Sequence, residues 1–169
     1  NYTITTVSTA NASLLSAALA NADVLLMPEP ESGTSSQFTP LAQVIQNFIS
    51  SGKTAIFCGA SSTQMACVLN SGVFSGTYSG NAYSGTLSVV NTSSPYTAGV
   101  PATFIGQNAT YCMNISNPGK VQLVTYGLAD VVSYVPLGQG KAFYLAFDYY
   151  SYTANEAKLI SNILASIPN

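Results

Sequence analysis

The chain contains no histidine and no tryptophan, and its four cationic side chains are all lysines, so arginine is absent as well. Each absence removes a class of function. Without an imidazole there is no ordinary general base for a serine or cysteine nucleophile, and zinc loses a common nitrogen ligand. Lys53, Lys120, Lys141 and Lys158 are scattered, so they cannot build the cationic face that displaces counterions from a nucleic-acid backbone. Anionic membranes are a poor partner on the same ground. Charged residues of both signs make up 6% of the chain, against roughly 25% in an average soluble domain. No apolar run approaches the roughly 18 residues needed to span a bilayer, so no membrane insertion is expected. No signal peptide is recognisable, and a chain starting at Asn1 reads as a mature product or an excised fragment.

What remains is an apolar, hydroxyl-rich chain. Its 169 residues suit one domain with one core, and an apolar content of 47% excludes disorder. Ser, Thr, Asn and Tyr supply the polarity. So little charge leaves weak repulsion between molecules and favours association. The composition therefore implies a secreted, extracellular or cell-surface protein packed into arrays, fibres or filaments. Its partners would be further copies in a homo-oligomer, or neighbouring domains of a larger protein. Five sequons, at Asn1, Asn11, Asn91, Asn108 and Asn114, fit a glycoprotein, although a chain this rich in Asn, Ser and Thr also produces them by chance. Cys58, Cys67 and Cys112 are an odd set. One disulfide plus a buried thiol suits an oxidising compartment, and three thiols suit a reducing one. Cys67 with Cys112 is the preferred pair, because Cys58 sits in a strand that reads as central.

Along the chain, residues 3–8 are β-branched and alternating, which predicts a strand. From Asn11, a good N-cap, Leu14, Leu15, Ala18 and Leu19 recur at helical spacing. Val24–Met27 is a continuous apolar run stopped by Pro28, as in a strand covered on both faces. Residues 28–38 read as a loop. The next helix takes Thr39 as cap and Pro40 as its first residue, with Leu41, Val44, Ile45, Phe48 and Ile49 as its stripe and Gly52 as its end. Residues 54–58 form another buried strand. Gly59 and Ala60 then turn into a helix with a Ser61/Gln64 capping box, a buried face of Met65, Val68 and Leu69, and a stop at Gly72.

From 75 to 119 the texture changes to Gly, Ser, Tyr, Asn and Pro, with short strands at 86–90 and 109–115. Strands at 121–126, 131–135 and 142–147 follow. A last helix has the box Thr153 to Glu156, the stripe Leu159, Ile160, Ile163, Leu164 and Ile167, and a stop at Pro168. This order predicts a single α/β domain over 1–169. Its architecture is a three-layer α/β/α sandwich, with a mostly parallel sheet carrying an antiparallel C-terminal section.

In an open parallel sheet, ligands bind beyond the carboxyl ends of the strands. Here those ends carry Pro28, Glu29, Pro30 and Glu31, and then Cys58, Gly59, Ala60 and Ser61. A thiol at a tight strand-to-helix turn is where a nucleophile is exposed and activated. The segment ADVLLMPE, a helix, and SGKTAIFCGASSTQMACVLNSGVFSG together resemble the core of the class I glutamine amidotransferase-like superfamily. SSPYTAGVPATF and GQGKAFYLAFDYY resemble its divergent, non-catalytic branches, the trehalose-utilisation-type domains among them. The resemblance implies a flavodoxin-like fold, with Cys58 on the nucleophile position and Gly59 and Ala60 on the elbow. It also exposes two departures. The family's amidotransferases need a histidine base, and Glu29 stands where their oxyanion loop has glycine. Cys58 is therefore a vestigial nucleophile, and a buried thiol without a cation keeps a pKa near or above about 8.5.

Other chemistries fit less well. Glu29 and Glu31 could form an acid/base pair, but two carboxylates in a Pro-rich loop are more often a solvated turn. Their spacing matches no calcium loop, and three separated cysteines make no zinc pattern, so no metal and no cofactor is expected. GxSxG is absent, and Gly76, Gly80 and Gly85 precede no strand-to-helix junction of a phosphate loop. Asp148, Tyr149 and Tyr150 lie at another strand end, either as a helix-entry loop or as a stacking platform for a sugar. Three functions stay open. The first is a non-catalytic structural subunit of a self-associating extracellular assembly. The second is a binding module that holds a glycan or peptide at the strand-end cleft through Glu29, Glu31, Asp148, Tyr149 and Tyr150, with Tyr78 and Tyr83 nearby. The third is a residual enzyme dependent on Cys58.

Overall fold

The side-chain oxygen of Asn11 accepts the amide protons of Ser13 and Leu14, and the helix it caps, α1, runs over Ala12–Leu19. The computed structural model, which describes residues 2–32 and 34–167, continues with β1 (Val24–Met27), α2 (Ser35–Phe38) and a 3-10 turn (Thr39–Leu41). Next come α3 (Ala42–Ser50), β2 (Thr54–Cys58) and α4 (Met65–Asn70). The strands β3 (Gly76–Asn81), β4 (Thr86–Val89), β5 (Thr103–Ile105), β6 (Tyr111–Ile115), β7 (Val121–Tyr126), β8 (Ala129–Leu137) and β9 (Gly140–Leu145) follow, and α5 spans Ala154–Ala165.

The strands form one mixed sheet in the order β1-β2-β9-β8-β7-β4-β5, with β6 beside β8 and β3 beside β6. The expected α/β sandwich is present. Its parallel part is β1, β2 and β9; the remaining pairings are antiparallel. Between α4 and α5 there is no α-helix to carry a parallel crossover, so the antiparallel section extends well back from the C-terminal strands.

The centre is covered on both faces, and β2 and β9 are buried along nearly their whole length. Phe57 and Tyr144 are register partners, and both rings meet Phe74 edge-on. On the other face, Phe143 and its partner Tyr134 pack against Tyr96, whose hydroxyl accepts a hydrogen bond from Lys141 at 2.7 Å. A buried carboxylate joins the antiparallel half: Asp130 accepts from the Ile115 amide at 2.9 Å, from Lys120 at 3.0 Å and from the Ser133 hydroxyl at 2.5 Å.

Several expectations need correction. Residues 3–8 form no strand: they make no ladder among the described residues, and Ile4 is 85% exposed, because β-propensity cannot hold a strand without a partner. Among the described residues Val24–Met27 is an edge strand, paired only with β2, and Leu26 lies in solvent instead of being covered. Residues 28–38 are not all loop. The helical run begins at α2, where the Thr34 amide donates to Gln37, so Thr39 continues a helix and does not cap one. Ser61 and Gln64 form no capping box, since the Ser61 amide goes to Glu29 and the Gln64 carboxamide donates to the Glu31 carbonyl. The 75–119 stretch carries two further strands, β3 and β5. The box at Thr153 and Glu156 is present, and Pro168, the expected stop, lies outside the described residues.

No disulfide joins Cys67 to Cys112. Cys67 lies on α4, which packs against α2, whereas Cys112 lies in β6 between β3 and β8, where its thiol donates to the Thr110 carbonyl. Of the sequons, Asn1 lies outside the described residues, Asn11 is the α1 cap, Asn91 is half-buried, and Asn108 and Asn114 are exposed.

Candidate functional site

Parallel pairing of β1, β2 and β9 brings three chain segments to one edge of the sheet: Pro28 onward, Cys58 onward and Ala146 onward. Glu29 reaches across the first gap. Its Oε1 accepts the Ser61 amide at 3.1 Å, which ties the end of β1 to the turn after β2. Burial lifts the Glu29 carboxyl above its usual range. The Ser61 bond opposes that shift, while Asp148 and Glu31 add to it. The geometry therefore gathers Glu29, Glu31, Asp148 and Cys58 at one end.

The turn after Cys58 is closed by the chain beyond β9. The Gly59 amide donates to the Phe147 carbonyl at 3.0 Å, and a Cβ placed on Gly59 would stand 2.2 Å from the Ala146 carbonyl oxygen. Glycine is required there by the backbone crossing above it. At a nucleophile elbow, the amide of the residue after the nucleophile is an oxyanion donor; in this chain that amide is already bonded. Cys58 itself is 4% exposed, and burial, with Asp148 adding to it, pushes its thiol up to about 12. Ala60 is fully buried.

Asp148 opens the segment to α5, and its Oδ1 accepts the Tyr150 amide at 3.0 Å. Tyr149 and Tyr150 then diverge. Tyr149 adopts φ +60°, stacks edge-on against Phe147, and donates its hydroxyl to the Glu156 carbonyl at 3.3 Å. Burial raises its hydroxyl well above the ordinary tyrosine value. Tyr150 is 92% exposed and Tyr152 61%. A stacking platform is thus divided: Tyr149 is spent on the fold, Tyr152 leans on the Tyr149 ring, and Tyr150 projects into solvent.

Two residues of this region carried no functional signal in the sequence. Glu156, expected only as a helix cap, is fully buried: its oxygens accept the Gln107 amide at 2.8 Å and the Thr153 amide at 2.7 Å. Tyr111 opens β6, where the Tyr144 hydroxyl donates to its carbonyl and its own amide donates to Ala146. Burial raises the Tyr111 hydroxyl, and Glu29 and Asp148 add to the shift, which locates the β3–β6 ribbon near the strand ends. Tyr78 is half-buried and Tyr83 exposed on the same ribbon and its turn.

Charge is sorted between the two ends. Lys53 pairs with Asp23 at 2.7 Å near the starts of β2 and β1, Lys141 lies near the start of β9, and Lys120 is spent on Asp130. Among the described residues, Glu29, Glu31, Asp148 and Glu156 have no lysine in an ion pair. No three His, Cys, Asp or Glu side chains converge as metal ligands among those residues. About 410 Å³ opens between Ser79, Gly80, Asn81, Cys112, Asn114 and the Tyr126–Ala129 turn, and about 300 Å³ lies between Ser8–Ala10 and Gln37–Leu41.

With this geometry in view, solved structures give the comparison. A cytoplasmic protein of Salmonella typhimurium LT2 superposes with a TM-score of 0.70 at 13% identity, over 91% of this chain and 75% of its own. A protein assigned as ThuA-like, from Bacteroides uniformis, gives 0.61 at 13% identity over 88% of this chain and 70% of its own. A protein assigned to GMP synthase, from Thermoplasma acidophilum, gives 0.58 at 12% identity over 89% and 75%. The chain shares its α/β sandwich fold with these ThuA-like and GMP synthase structures. No protein-family model matches the chain, and no curated protein is similar to it in sequence.

The same comparison corrects the expected location. A protein with this fold over nine-tenths of the chain is cytoplasmic, so the secreted, cell-surface and filament reading taken from low charge and abundant Ser, Thr and Asn is withdrawn. Low charge constrains solubility and association, and carries no address.

Proposed function

We propose that this chain is a non-catalytic module of the amidotransferase-like fold, acting through contacts with further copies or neighbouring domains. One observation carries the reading: the elbow amide needed to stabilise an oxyanion, that of Gly59, is bonded to the Phe147 carbonyl. The rest of the site points the same way. Acyl transfer at a thiol needs a thiolate, a proton acceptor and positive potential where charge develops. Burial pushes the Cys58 thiol up to about 12, the chain has no imidazole, and Asp148, the carboxylate that acts on the thiol, would oppose a developing anion.

The test is alkylation of the native protein with iodoacetamide at neutral pH, read by mass spectrometry, beside an amidase assay on glutamine. Cys58 is expected to stay unmodified until the protein is unfolded, and no ammonia is expected. Fast native labelling of Cys58, or turnover lost in Cys58→Ser, would overturn the reading. A second reading, a glycan or peptide held at the strand-end rim, is favoured by the exposed rings of Tyr150 and Tyr152 beside Asp148. It predicts chemical-shift changes at those residues on titration with an oligosaccharide or peptide.

A further inference from the structure

The chain holds a sheet edge without a neighbour and a strand-like segment without a sheet. The edge is β1. Among the described residues it pairs with β2 on one side only, and its other side offers unpaired backbone amides and carbonyls. Proteins usually protect such an edge with a lysine, a proline, a bulge or a covering loop. Val24, Leu25, Leu26 and Met27 contain none of these: the charged Asp23 is turned into an ion pair with Lys53, and Pro28 comes only after the strand has ended. Leu26 is 52% exposed, and none of the four is fully buried, in contrast to β2 and β9.

The segment is residues 3–8, TITTVS. Its β-branched composition favours an extended chain on a half-buried surface. In the structure it makes no ladder, and Tyr2, Ile4 and Val7 are 67%, 85% and 40% exposed. Its far end is held at the start of α1, where the Asn11 amide donates to Thr9, and Ser8–Ala10 border α2 and the turn after it. The single chain thus leaves both halves of a possible pairing unsatisfied.

From this juxtaposition we infer that β1 is a self-association edge, whose occupant is the segment 3–8 of a second copy. Resting on the reading of the chain as a contact module, it names the surface involved. Exchange in both directions is isologous: each copy gives one strand and receives one, so the contact closes as a twofold dimer and leaves no end from which a fibre could grow. The added strand would satisfy the outer backbone groups of β1 and cover Leu26, while Ile4 and Val7 would leave solvent. A net charge of −2 on 169 residues leaves little repulsion to oppose the approach.

Light scattering coupled to size-exclusion chromatography tests this across a concentration series. The native chain is expected to show twice the monomer mass. Leu26→Lys on the edge, and separately deletion of residues 2–8, are each expected to return the monomer mass with an unchanged circular dichroism spectrum. Ile4→Lys, a substitution at an exposed site that does not enter the core, should do the same if either of the others unfolds. A native chain that stays monomeric throughout, or a dimer indifferent to all three changes, overturns the inference. A monomer whose residue 3–8 amides resist hydrogen exchange also overturns it, by showing pairing within one chain. None of these outcomes alters the alkylation of Cys58, so failure of this inference is distinguishable from failure of the non-catalytic reading.

Discussion

The Gly59 amide donates to the Phe147 carbonyl at 3.0 Å, which stitches the turn after β2 to the chain leaving β9. The contact leaves no room for a side chain, because the nearest atoms to a Cβ are Ala146 backbone atoms at 2.2 and 2.5 Å. Gly59→Ala is therefore expected to cost about 3 kcal/mol or more, by forcing the two backbones apart. Gly127→Asn serves as control: its position has φ +59°, which asparagine tolerates, and open space around it, so a loss below about 1 kcal/mol is expected. Urea unfolding of the two variants makes the comparison.

Asp130 should be the most sensitive polar residue of the antiparallel half. Asp130→Ala removes the acceptor of one amide, one hydroxyl and one ammonium in a buried site. Breaking such a pair from one side costs roughly 3–5 kcal/mol. Asp130→Asn keeps an acceptor and should lose less, and an equal loss in both would contradict the assignment.

Glu29 makes stability depend on pH in a defined direction. Its folded-state pKa lies above the ordinary 4.5, so the folded protein holds this proton more tightly than the unfolded chain. The associated stabilisation is full below about 4.5 and is lost as pH rises through the folded value. Unfolding midpoints measured from acid to neutral should fall less steeply with pH in Glu29→Gln than in the native chain. An unchanged slope would remove Glu29 from the account.

The start of α5 offers a graded pair. Thr153→Ala loses one cap and should cost about 1 kcal/mol. Glu156→Ala strands the buried Gln107 amide as well as the Thr153 amide, and should cost about 2 kcal/mol or more. Thermal denaturation should rank them in that order.

Much of the fold was legible in local signals. Asn11 and the Thr153/Glu156 pair announced two helix starts, because a cap is a contact between residues two or three positions apart. The run TAIFC announced a buried strand because apolar residues on both faces suit only a covered one. The same logic misread VLLM as covered and TITTVS as paired, since neither segment encodes whether a neighbour arrives. The Ser61/Gln64 box failed for a related reason: Glu29 and Glu31, distant in sequence, take the groups a cap would have used.

By itself the sequence determined the chemistry available to the protein: no imidazole, no guanidinium, one thiol at a strand end and a chain with almost no charge. Only the tertiary structure decided what that thiol can do. Parallel pairing of β2 with β9 buries Cys58, carries the Phe147 carbonyl onto the Gly59 amide and collects Glu29 and Asp148 around them. Composition lists the groups, but their protonation and their free hydrogen-bonding capacity are set by neighbours some 30 and 90 positions away in the chain, which meet only when the sheet closes.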